Sequence, residues 1–225
     1  MLLTNTYIVC KYTGAMRTDF RDFEERLYRV AETQGGCFTA KQALHAGYSY
    51  RLQHYYRARG KWDALDRGIF RLRNHPHADR EDLVRWSLWS HDRSGRPQII
   101  FSHATALSFH ELGDFNPGRF HVIAPQAFRK PPTPGLVIHR ASLPWDESEA
   151  HDGFWVTNPL RSLLDGVEAN LEPDHLIRAI EEGIRRDLVS WPDIVRKAVS
   201  PTAKRFLEVY AVEHQIKQML PALVN

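Results

Sequence analysis

Two cysteines, Cys10 and Cys37, among 225 residues are too few for a disulfide framework, which makes a reduced, cytoplasmic setting the default expectation. Long apolar runs are missing too. None approaches the roughly 20 residues that span a bilayer, so no membrane partner is expected. Segment 1–16 is mildly apolar but has no basic start and no small-residue cleavage pattern, and it is not read as a signal peptide. Residues 1–17 read as a leader outside the folded part, with Met16 as an alternative first residue. Signatures of chemistry are scarce. Twelve histidines invite a metal reading, with His75/His77 and His151 beside Asp152 as the nearest pairs, yet there is no H-E-x-x-H and no C-x-x-C. Walker and G-x-S-x-G motifs are absent, as are the E-x-K and D-x-K of a nuclease strand. The expectation is no metal, no cofactor and no enzymatic activity.

What the chain has is an uneven charge. The net charge is +3. Residues 38–73 hold eight basic groups against Asp63 and Asp66, an excess of +6, while residues 1–37 balance and residues 74–225 are slightly acidic. A basic segment of this length, joined to an acidic remainder, points to a polyanionic partner for the first part alone.

That first part has a readable order. In "DFRDFEERLYRVAETQGG" the residues Phe20, Phe23, Leu27 and Val30 recur at helical spacing, and Gly35-Gly36 stops the helix. Thr39 caps a short helix that ends at Gly47. Ser49 caps a third helix over about 50–59, closed by Gly60. "KWDALDRGIFRL" then alternates around Asp66-Arg67-Gly68 and reads as a hairpin. Helix, short helix, tight turn, helix, hairpin is the order of a winged helix-turn-helix, expected over 18–74.

At 100° per residue from Leu52, Tyr55 and Tyr56 fall within about 60° and extend its buried stripe. Tyr50, Gln53, His54 and Arg57 fall on the opposite side and are the expected readers of base edges. Ser49 and Arg51 flank them. Lys61, with Arg67 and Arg71 on the hairpin and Lys41 on the preceding helix, is expected to sit on phosphates. The partner so implied is double-stranded DNA.

From about residue 80 to 225, strands and helices alternate irregularly. "QIIF" reads as a strand leading into Ser102, which is placed as an N-cap. "RFHVIAP" and "PGLVIHRASL" read as strands, "GFWVTNPLRSLLDGVEA" as strand, turn and helix, and three helices follow, the last over 201–220. The class is α+β, with a helical C-terminus. Arg161 and Asp165, four apart on one helix face, read as an internal ion pair.

Taken together, "GCFTAKQALHAGYS", "RGKWDALDRGIFRL", "FSHATALSFHELGD", "FHVIAP" and "GFWVTNPLRSLLDGV" resemble the AbiEi-type antitoxins of bacterial type IV toxin–antitoxin systems, over roughly 18–190. The resemblance implies a winged helix-turn-helix joined to a mixed α/β antitoxin-type domain, and binding to inverted repeats in the protein's own promoter. It implies opposition to a nucleotidyltransferase-like toxin without a stable complex. It carries over Asp66 to Arg71 as the wing, Ser102, His103, Ala106 and Leu107 as a helix start, and Thr157, Arg161 and Asp165 as a third element. Ser102, Arg161 and Asp165 are therefore the candidates in the second domain. A stand-alone winged-helix regulator and a nuclease relative stay open beside this reading.

Overall fold

The computed structural model describes residues 21–77, 79–131 and 133–213. The expected leader over 1–17 and the end of the last expected helix, 214–220, lie outside the described residues. The chain divides into two compact units. Of the described residues, those up to Gly95 together with Asp152–Phe154 form the first, and Arg96–His151 with those from Trp155 to Glu213 form the second. Among the described residues no helix is long and apolar enough to cross a membrane.

The first unit runs α1 (21–32), β1 (Cys37–Thr39), α2 (Ala40–Ala46), α3 (Tyr50–Ala58), β2 (Trp62–Asp66), β3 (Ile69–Leu72) and α4 (Glu81–Ser90). Its sheet is antiparallel in the order β1-β3-β2, with Phe38 opposite Phe70 and Ala64 opposite Phe70 from the other side. Thr39 starts α2 with a capping box: its hydroxyl accepts from the Gln42 N–H, and the Gln42 side-chain oxygen accepts from the Thr39 N–H at 2.7 Å. α2 ends at Gly47, whose φ of 111° belongs to glycine. A Cβ there would fall 2.6 Å from the Phe23 ring. The turn is thus doubly committed to glycine, by angle and by space. Ser49 then caps α3, accepting from the Leu52 N–H at 3.3 Å.

An aromatic core holds these elements. The Tyr48 ring, in the turn before α3, lies 5.0 Å from Trp62, 5.1 Å from Tyr56 and 5.9 Å from Phe23. Phe38 meets Trp62 edge-on at 4.8 Å. Leu27 and Ala31 of α1 and Ala43 of α2 complete the cluster. Such rings bury large areas and favour tilted contacts over face-to-face ones.

The unit continues beyond the expected boundary near 74–80. α4 packs on β1 and β3 and so covers the sheet face turned away from α1 to α3. The reading that ended this unit at 74 left that face bare. β3 is the central strand, and its Ile69, Phe70 and Arg71 are all buried.

The second unit runs β4 (Ile100–Phe101), α5 (His103–Phe109), β5 (Phe120–Ala124), β6 (Leu136–Arg140), β7 (Ser148–His151), β8 (Phe154–Thr157), α6 (Pro159–Glu168), α7 (Pro173–Arg185), α8 (Trp191–Lys197) and α9 (Pro201–Glu213). Its five-stranded sheet has the order β6-β5-β4-β8-β7. β4 pairs antiparallel with β5 and parallel with β8, and β5 pairs parallel with β6. The chain is therefore α+β, with mixed pairing in the larger sheet. α6 begins as "TNP" suggests. Asn158 accepts from the Arg161 N–H at 2.9 Å, and Pro159 fills a first-turn position that needs no donor. α6 to α9 share an apolar core that includes Leu163, Val167, Leu176, Ile180, Trp191, Ile194 and Leu207. β1 and β7, three and four residues long, carry no sequence signal strong enough to be read in advance.

Candidate nucleic-acid interface

α3 presents two faces. Leu52 and Tyr56 turn inward, and Tyr56 packs on Tyr48 and Trp62. Tyr50, Arg51, His54 and Arg57 are exposed, Tyr50 at 69%. The Arg57 guanidinium carbon lies 5.3 Å from the centre of the Phe70 ring, a cation–π contact that steadies the group while the residue as a whole stays exposed. Ser49 is exposed at the first turn, where its hydroxyl serves as the cap. Lys61 and Arg67 are exposed, Arg67 at the hairpin tip, where its N–H donates to the Asp66 carboxylate at 2.6 Å. Among the described residues, no carboxylate forms an ion pair with Arg51, Arg57, Arg59, Lys61 or Arg67. Lys41 is also exposed, with its ammonium bonded to the Arg93 carbonyl.

Three expectations for this face are corrected. Gln53 is no base reader. It is 3% exposed, and its side-chain N–H₂ donates to the Ala40 carbonyl at 3.0 Å and the Tyr48 carbonyl at 2.9 Å. The helical wheel placed it correctly relative to Leu52, but α2 and the turn occupy that side, and the amide ties them to α3. Arg71 is no phosphate contact either. It is 7% exposed, because β3 is central and α4 lies over it. Its guanidinium bonds Asp63 at 3.1 Å and Glu81 at 3.0 Å and touches His77. Arg73 joins the same Asp63 at 2.7 Å. The bonds from Arg73 and Arg71 hold the Asp63 carboxyl below its ordinary pKa. Finally, Tyr55 does not extend the buried stripe. It is 51% exposed with the Arg59 guanidinium 5.3 Å from its ring centre. The positive charge of 38–73 is thereby concentrated on α3, its exit and the hairpin tip, since Arg71 and Arg73 are neutralised locally.

The second-unit candidates are bound into internal networks. The Arg161 Nε meets Asp165 at 2.7 Å, and its Nη1 meets Glu147 at 2.6 Å, which also takes Lys197 at 2.8 Å. Bonds from Lys197 and Arg161 keep the Glu147 carboxyl below its usual range. Burial pushes the Asp165 carboxyl up to about 6 against the pull of Arg161. With a guanidinium at 2.7 Å, the carboxylate is ionised at neutral pH. One of its oxygens, Oδ2, is buried without a hydrogen-bond partner.

Ser102 stands at the N-cap position of α5, but its side chain does not cap. Its hydroxyl lies 2.8 Å from His103 Nδ1 instead. Neighbours on a regular helix point apart. Here Ser102 is fully extended and His103 has a φ of 53°, so the two side chains meet. The His103 ring stacks on His139 at 3.6 Å, and His139 lies 3.1 Å from His121. Burial first, then the neighbouring imidazoles, lowers the pKa to about 3 for His103 and about 4 for His121. Burial lowers that of His139 as well. Residues so far apart in the chain gave no sign of meeting. Among the described residues no group of three or more metal-binding side chains converges as an ion would need. Rings stacked on one another do not aim their nitrogens at a common point.

No protein-family model matches the chain. No curated protein matches it either. Among solved structures it is similar to the crystal structure of the RV2827C protein from Mycobacterium tuberculosis, with a TM-score of 0.50 and 16% sequence identity over 84% of this chain and 77% of that one. At this identity the likeness is one of fold.

Proposed function

We propose that the first unit is a winged helix-turn-helix that binds double-stranded DNA, with α3 in the major groove and the β2–β3 hairpin as its wing. The observation that carries this is the outer face of α3, bare of carboxylates and formed by Tyr50, Arg51, His54 and Arg57. Arg57 is the candidate to fork onto a guanine edge, while Arg51, Lys61 and Arg67 neutralise phosphates and set register. Lys41 and Ser49 stand at the margin of the same surface. Gln53 and Arg71 have structural roles and leave the set.

The protein as a whole is proposed to be a cytoplasmic, non-enzymatic antitoxin that represses its own operon at inverted repeats. It opposes a nucleotidyltransferase-like toxin without a stable complex. This half of the proposal draws on the sequence resemblance. One observation favours the second reading, a stand-alone regulator: Arg161 and Asp165 are spent on each other and on Glu147 rather than presented to a partner. A nucleotidyltransferase-like reading frame beside the gene favours the antitoxin, and its absence favours the regulator.

The DNA reading is tested by gel shift on the upstream region across salt concentrations. Affinity is expected to fall by about 0.9 log units per log unit of salt for each phosphate engaged. Binding that ignores salt, or no binding to any duplex, would overturn it.

A further inference from the structure

A cavity of about 570 Å³ opens in the first unit between α1, the end of α3 and the β2–β3 hairpin. Of the residues that line it, the DNA reading uses Lys61 alone. The volume lies within the range of small-molecule sites, and the lining is unusual in kind. Four aromatic side chains contribute to it: Tyr28, Tyr48, Tyr56 and Trp62. Tyr56 stands edge-on to Tyr48 at 5.1 Å and lies 5.3 Å from Trp62, so the rings brace one another in place. Tyr28 is half-exposed. Ring faces carry negative charge density and attract cations, most strongly where water is partly excluded.

A carboxylate stands at the same cavity. Glu24 and Glu25 both project from α1. Glu25 is taken by Arg29 at 2.5 Å. Glu24 is held only loosely. The bond it receives among the described residues is from the Tyr56 hydroxyl at 3.5 Å, at the outer limit of a hydrogen bond. Its oxygens keep most of their capacity to accept. Lys61 lines the cavity as well, which makes a small organic anion the competing occupant.

We infer that this cavity is a binding site for a small organic cation, whose charge is set against Glu24 and whose body lies against Tyr28 and Tyr56. Aromatic faces reward a cation and do nothing for a carboxylate, and that decides between the two occupants. The site lies beyond the DNA reading and does not depend on it.

Titration calorimetry of the full chain with benzyltrimethylammonium, without DNA, tests it. Saturable binding at one site per chain is expected. Glu24→Gln, a substitution on an exposed helix position, is expected to weaken it about tenfold, equivalent to about 1.4 kcal/mol, with the melting temperature unchanged. Tyr28→Leu is expected to weaken it as well, whereas benzoate is expected to give no heat. Three results would each overturn the inference: no saturable binding, benzoate binding as well as the cation, or Glu24→Gln binding like the parent. Because DNA is absent from the experiment, its failure leaves the role of α3 standing, and a failure of DNA binding leaves this site standing.

Discussion

α3 and α6 begin with the same device and use their arginines in opposite ways. Each has a polar cap, Ser49 or Asn158, that accepts from the N–H three residues on. On α3, Arg51 and Arg57 face outward with no acidic partner among the described residues. On α6, Arg161 is held between Asp165 and Glu147. The difference lies in what surrounds each helix. Around Arg161 a short helical turn delivers Glu147 and α8 delivers Lys197. Among the described residues no carboxylate comparably pairs with the arginines on the outer face of α3. A guanidinium paired on two sides fixes structure, whereas an exposed, unpaired one is available for another molecule. Arg71 shows that position in sequence does not decide which role an arginine takes. It sits in the basic segment but belongs with Arg161.

The comparison is broken most readily at Arg161. Arg161→Ala is expected to cost about 3 kcal/mol of stability, because Asp165 is left buried without its ion-pair partner, while the partly buried Glu147 keeps Lys197; thermal unfolding measures it. An unchanged melting temperature would place Arg161 with the arginines of α3. Arg71→Ala is expected to follow at about 2 kcal/mol, less because Asp63 keeps Arg73. Its DNA affinity, measured well below the melting temperature, should hold.

The third test concerns pH. His103, His121 and His139 are neutral in the folded protein and take up protons on unfolding once the pH drops below about 6.5. Their folded pKa values are depressed, so stability is expected to fall as pH goes from 6.5 toward 4, with His103 alone contributing about 2 kcal/mol at pH 5. Asp165 works in the other direction, since its folded pKa is raised and it binds its proton more readily when folded. Three imidazoles outnumber one carboxylate, so the net trend is loss. Denaturation midpoints at pH 7 and pH 5 measure it, and His121→Asn should flatten the slope.

The smallest expected effect on stability is at α3. Arg57→Ala should change stability by less than about 0.5 kcal/mol. It should cost about 1–3 kcal/mol of DNA binding and relax preference at one base pair. Equal loss on every sequence would demote Arg57 to a phosphate contact. Arg51→Ala should leave preference intact and reduce the salt slope by about one contact.

Local chemistry made much of the first unit legible. Thr39 and Ser49 announce helix starts, Gly47 a stop, and Asp66-Arg67-Gly68 a turn. Each signal acts within a few residues, so one sequence suffices to read it. What went unread depends on elements distant in the chain. Gln53 looks like a base reader until α2 is laid beside it. Arg71 looks like a wing cation until α4 covers the far side of its strand. The meeting of Ser102 with His103 needs a backbone angle that no motif reports, and the stack of His103, His121 and His139 needs the pairing of β5 with β6. The site is legible where it is exposed and local, and illegible where burial decides.

Gly47 carries a consequence for variation. Its left-handed angle and the Phe23 ring against it leave no room for any side chain, although the residue is solvent-exposed. A screen of random substitutions should therefore find position 47 almost as intolerant as the buried tyrosine that follows it. Such a substitution would re-aim α3 against α2 while leaving every exposed side chain of α3 in place.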